Sequence, residues 1–134
     1  MRRLFSLPLL LVCACGGPEL EIDAQWVDEA GGPFSAGWSL QRSIEVTTAG
    51  PVTDGVVEAI LQHPAPEELQ VELRTANSPT VRLRAYVPAG GDDYRYTAPL
   101  YELQGAEGQG FWRLSVDARE SDSPGVLHMW GLEL

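Results

Sequence analysis

Two histidines are the imidazoles this sequence can offer as general bases, His63 and His128. Each sits in an alternating apolar run. His63 shares a face with Ala59 and Leu61, and His128 shares one with Trp130, so both are expected as packed, hydrogen-bonded core or near-core groups. No Gly-x-Ser-x-Gly turn supplies a nucleophile for either ring. Acidic oxygen is more plentiful. Asp92-Asp93 follows a glycine pair, and Asp117, Glu120 and Asp122 cluster near the end, giving hard ligands suited to Ca²⁺ but without the spacing of an EF-hand. Calcium is thus a candidate cofactor at Asp117, Glu120 and Asp122, with a solvated acidic loop as the simpler reading. Tyr86, Tyr94, Tyr96 and Tyr101 lie in or beside a Gly-rich segment. Tyr94 and Tyr96 fall on one strand face, where exposed rings could stack on a sugar or, equally, pack at the margin of a sheet. The glycines of residues 105–110 (GAEGQG) have no lysine beside them and open a strand rather than a helix, which makes this stretch a turn and not a phosphate loop.

The other reactive side chains are Cys13 and Cys15. The chain starts MRRLFSLPLLLVCACGG: two arginines, an apolar run over residues 4–14 that is too short to span a bilayer, then small residues. That is the plan of an export signal. Val12-Cys13-Ala14-Cys15 resembles the lipobox of bacterial lipoproteins, in which cleavage precedes a cysteine that is then acylated. The resemblance implies a signal peptide over residues 1–14, lipid attachment at Cys15, and a tether over 15–19 that contains Gly16-Gly17-Pro18. Cleavage there discards Cys13, and acylation accounts for the one remaining thiol in an oxidising compartment. The expected address is a bacterial cell envelope, with the membrane as a partner through the lipid anchor.

Composition bounds the rest. A chain of 134 residues is one domain's worth, and 44% hydrophobic with 21% charged residues is ordinary for a globular body. Fourteen glycines and ten prolines point to many turns. Acidic residues outnumber basic ones 19 to 9, for a net charge of −10, and every basic residue is arginine. A surface of this sign excludes nucleic acid as a partner class, since phosphate binding needs a basic footprint.

Positioning these groups falls to strands. Period-two alternation runs through residues 20–26 (LEIDAQW), 43–46, 56–63, 69–73 and 80–87, each bounded by Gly, Pro, Asn or Asp. Residues 54–63 also suit a short helix, but β-branched residues at the start and Pro64-Ala65-Pro66 at the exit favour a strand. Roughly eight short strands separated by turns give an all-β sandwich or barrel over residues 20–134.

From about residue 43 to the end, the motifs resemble the P domain of subtilisin-like proprotein convertases, also called the homo B domain. Leu61-Gln62-His63 matches a strand that finishes on His. Glu68-Leu69-Gln70-Val71-Glu72-Leu73 with Ser78-Pro79 matches the next strand and its turn. Gly110-Phe111-Trp112-Arg113-Leu114-Ser115-Val116-Asp117 is similar to the Gly-Thr-Trp-x-Leu-x-Val-x-Asp motif, with Phe111 in the Thr position. Gly125-Val126-Leu127-His128-Met129-Trp130-Gly131-Leu132-Glu133-Leu134 fits the closing Gly-x-Leu-x-x-Trp-x-Leu-x-Leu. The resemblance implies a jelly-roll β-sandwich of the galactose-binding type, with Trp112, Trp130 and His63 as structural core. The last two runs are expected to pair as an antiparallel hairpin around an exposed acidic loop. It also implies a non-enzymatic interaction or stabilising module, partnered by another envelope protein such as a protease. A carbohydrate- or calcium-binding surface module is the alternative.

Overall fold

The computed structural model describes residues 22–47, 49–76, 79–90 and 93–134, the side chains of 85–90 excepted. The signal peptide expected over residues 1–14 and Cys15 lie outside them. Among the described residues nine strands form: β1 (Trp26–Asp28), β2 (Gly32–Phe34), β3 (Ser39–Val46), β4 (Val56–Gln62), β5 (Gln70–Thr75), β6 (Val81–Gly90), β7 (Asp93–Pro99), β8 (Gly110–Asp117) and β9 (Gly125–Glu133). All pairings are antiparallel, in the order β1-β9-β4-β7-β6-β5-β8-β3, with β2 beside β1 on the same edge of β9. The long β6 belongs to both layers, since Val81–Leu83 pair with β5 while residues from Arg84 onward pair with β7. The result is the all-β sandwich that the alternation predicts, and residues 56–62 form a strand, not a helix.

Alternation dictates the core. In β5, Val71 and Leu73 point inward, and in β8 Trp112, Leu114 and Val116 do so, meeting Val57, Ala59 and Leu61 of β4 and Leu127, Trp130 and Leu132 of β9. Burial of each valine or leucine among them contributes roughly 1.5–3 kcal/mol. On the side away from β6, Arg42 of β3 reaches across to the β1–β2 turn and donates through Nε to the carbonyl oxygen of Gly31 at 2.8 Å. Gly31 has φ 53° and packs where a Cβ would strike the backbone of Leu127, so the turn needs glycine there.

The structure corrects several expectations. Residues 22–25 are not a strand; the ladder begins at Trp26, and the side chain of Gln25, through Oε1, accepts the Leu134 amide at 3.1 Å. Ile22 is buried all the same, beside Gly131, whose missing Cβ leaves room for it. The second correction concerns the final two runs, which do not pair with each other. β8 pairs with β3 and β5, whereas β9 pairs with β4, β1 and β2. Alternation tells which side chains face the core, and both layers face the same one. The connection over residues 118–124 therefore crosses between layers, and it is not wholly exposed, because Ala118 and Ser121 are buried.

Candidate functional site

At this crossing a base comes within hydrogen-bonding distance of a hydroxyl. His63 leaves the end of β4 into the sandwich margin, where its ring stacks on Phe34 with centroids 5.9 Å apart. Its Nε2 lies 3.0 Å from Ser121 Oγ and 3.1 Å from the Ser123 carbonyl oxygen. Nδ1 accepts the Ala65 amide at 3.0 Å. An Nδ1 that accepts puts the proton of the neutral ring on Nε2, so the ring donates toward Ser121 and is not placed to take its proton. Ser121 Oγ in turn accepts the Ser123 amide at 3.1 Å. Both His63 and Ser121 are buried. The arrangement is a latch that ties the exit of β4 to the β8–β9 crossing, as a packed histidine was expected to be.

The second histidine is displaced from its expected place. The β4–β9 register slips between Ile60↔Met129 and Leu61↔Leu127, which leaves His128 as the extra residue of a bulge. It is therefore half-buried and not on the face of Trp130. Its Nε2 meets Asp93 Oδ1 at the start of β7, 3.0 Å away.

Of the two expectations for the tyrosine pair, packing and not exposure is what the structure has. Tyr94 and Tyr96 do share a face of β7, but it is the inner one. Tyr96 is 2% exposed and its hydroxyl donates to the Pro66 carbonyl at 3.2 Å, while Tyr94 is packed against the core. Burial, with smaller contributions from Tyr94 and Glu67, pushes the Tyr96 phenol well above its ordinary value. The Tyr96 ring offers no face to a sugar, and that of Tyr94 is half-buried. Tyr101 is exposed on a single 3-10 turn, Tyr101–Leu103.

Of the acidic candidates, Asp117 turns onto Arg119, with Oδ2 2.7 Å from Nη2 and both carboxylate oxygens accepting from the guanidinium. That side-chain hydrogen bond holds the Asp117 carboxyl below its usual value. Among the described residues, no three His, Cys, Asp or Glu side chains converge as a metal site, so Asp117, Glu120 and Asp122 are not gathered for Ca²⁺. Asp92 lies outside the described residues.

The sequence reading missed the outer face of the β3–β8–β5 layer. Arg74, Phe111 and Arg113 stand there, exposed, with Arg82 and Arg84 of β6 beside them. The signal was present, since these residues alternate with the core positions of their strands. Trp112 and Trp130, by contrast, are where the motifs placed them, both fully buried.

Comparison with known proteins fits this picture. The crystal structure of a serine protease of Aeromonas sobria superposes with a TM-score of 0.62 at 18% identity, covering 92% of this chain and 28% of that one. The same protease in complex with its chaperone gives 0.62 at 17%, again covering 92% and 28%. This chain thus spans little more than a quarter of the protease, and the likeness is one of fold. No curated protein matches the sequence. The family described as the proprotein convertase P-domain matches residues 52–134, from the loop before β4 through β9. That stretch is more than half of the chain and holds the buried His63, Trp112 and Trp130, and by it this chain belongs to the proprotein convertase P-domain family.

Proposed function

We propose that this chain is a non-catalytic P-domain module that works by protein contact, beside a protease or another component of a bacterial cell envelope, and is held at the membrane by a lipidated Cys15. The supporting observation is that the family's motif residues build the core: His63, Trp112, Trp130 and Leu132 are all buried. A body whose motif residues serve packing suits a part that stabilises or recruits, and in Aeromonas sobria a similar fold is a portion of a serine protease. Anchoring rests on the lipobox-like run. Two or more acyl chains hold a protein stably where one is marginal, at about 0.8 kcal/mol per buried methylene. Loss of Arg2 and Arg3 with the leader makes the mature chain two units more negative than the −10 of the whole sequence. Anionic head groups repel that charge, so the lipid must supply the attachment.

Cys15→Ser is expected to move the protein from the membrane to the soluble fraction; a variant that still sediments with membranes overturns the anchor. Crosslinking in intact cells is expected to capture a protease or envelope protein at the folded domain. Specific binding to a glycan, with no protein captured, overturns the protein-contact reading.

A further inference from the structure

The outer face of the β3–β8–β5 layer carries charge of the wrong sign for this protein. Arg74, Arg82 and Arg113 are exposed there, three of the nine arginines in a chain of net charge −10, and Arg84 is exposed just beyond, where β6 turns to pair with Thr97 of β7. Among the described residues none of the four makes an ion pair, unlike Arg95 with Glu58 and Arg119 with Asp117. Arg74 and Arg113 are direct partners in the β5–β8 ladder, a placement in which like charges destabilise the sheet. The acidic groups of the same face are Glu72, opposite Arg82, Glu45, opposite Phe111, and Asp117, which is paired with Arg119. Phe111 is 63% exposed, and with Arg74, Thr75, Ala76 and Arg113 it lines an open hollow of about 280 Å³.

An exposed aromatic ring beside two unpaired guanidinium groups combines the residue types that anchor protein interfaces. Each guanidinium presents a fork that matches a carboxylate. Range decides what kind of anion fits. Screening confines each charge to about 10 Å, so a short segment feels the local arginines, whereas an extended anionic surface also meets the acidic remainder of the body.

We infer that this face docks an acidic segment of a partner protein, with Arg74 and Arg113 sharing its carboxylates and Phe111 seating an apolar side chain next to them. The inference rests on the protein-contact reading above and names the surface and the chemistry of that contact.

The test uses the full chain in a neutral detergent and a short fluorescein-labelled Glu/Asp peptide with one central Phe, followed by anisotropy. Saturable binding that weakens as salt is added is expected. Arg74→Gln with Arg113→Gln, and separately Phe111→Ser, should each weaken it about tenfold or more, while Arg119→Gln should leave it unchanged. The substituted side chains are exposed, and thermal unfolding of each variant verifies that the fold persists. No binding, equal binding of a Lys/Arg version of the peptide, or indifference to the Arg74 and Arg113 changes overturns the inference. So does a stronger response to phosphatidylglycerol vesicles that the same two changes abolish, which marks a lipid contact instead. If cell crosslinking captures the same partner with the doubly substituted chain, this face is wrong and the protein-contact reading stands; if neither chain captures one, that reading fails as well.

Discussion

Trp112 and Trp130 are both fully buried, yet their indole nitrogens are treated differently. Nε1 of Trp112 donates to the Gly108 carbonyl at 2.8 Å, while Nε1 of Trp130 finds no acceptor among the described residues. Changing either to Ala is expected to cost about 3–5 kcal/mol, as for other large-to-small core changes. Phe separates them. At Trp112 it also strands the buried Gly108 carbonyl, which adds roughly 1–3 kcal/mol, so Trp112→Phe should destabilise more than Trp130→Phe in urea unfolding, and the reverse order would contradict the hydrogen bond. Tyr96 gives a pH signature. Burial raises its phenol pKa in the folded state, so its stabilising effect is complete below the ordinary tyrosine value near pH 10 and is lost as pH rises, because the unfolded chain ionises first. Tyr96→Phe is expected to cost about 0.5–1.5 kcal/mol at neutral pH through the lost bond to Pro66. The same change should flatten the fall in stability above pH 10; an unchanged alkaline slope would mean that the phenol is solvated.

At the scale of elements, the latch between β4 and the β8–β9 crossing makes a graded prediction. Ser121→Ala removes one partner of His63 but leaves the Ser123 carbonyl, and should cost about 1 kcal/mol. His63→Ala also empties the space against Phe34 and strands the Ala65 amide, and should cost about 2–4 kcal/mol in the same denaturation experiment. Equal costs would show that Ser121 alone holds the loop. This latch marks the limit of what the sequence disclosed. The burial of His63 was legible because Ala59, Leu61 and His63 alternate, but its partner sits 58 residues away and no local pattern points to it. The strands were legible for the same reason, and their neighbours were not: the inward positions of β8 and β9 read identically whether the two pair or face each other across the core. The side facing inward was ambiguous for β7, where alternation left Tyr94 and Tyr96 either exposed or packed at the sheet margin, and the bulge that turns His128 aside leaves no trace in composition.

Across the whole molecule, neither layer holds a core of its own. Trp112, Leu114 and Val116 from one layer and Leu127, Trp130 and Leu132 from the other fill a single cluster, and β6 is hydrogen-bonded into both. A sheet stripped of the opposing layer would expose its whole apolar face, so partial unfolding of one layer is disfavoured. The body is expected to unfold in one cooperative step. The buried indoles provide the readout, with Trp38, which is 70% exposed, changed to Phe to reduce the solvent signal. Tryptophan fluorescence, which reports packing, and far-ultraviolet circular dichroism, which reports the ladders, should then give superimposable urea transitions. Refolding should be slow for a domain of this size, in the millisecond-to-second range, because the ladders join distant parts of the chain: β3 with β8, and β1 and β4 with β9. Two separated transitions would instead divide the molecule at β6, the one strand shared by the layers, and would show that each layer is stable without the core they share.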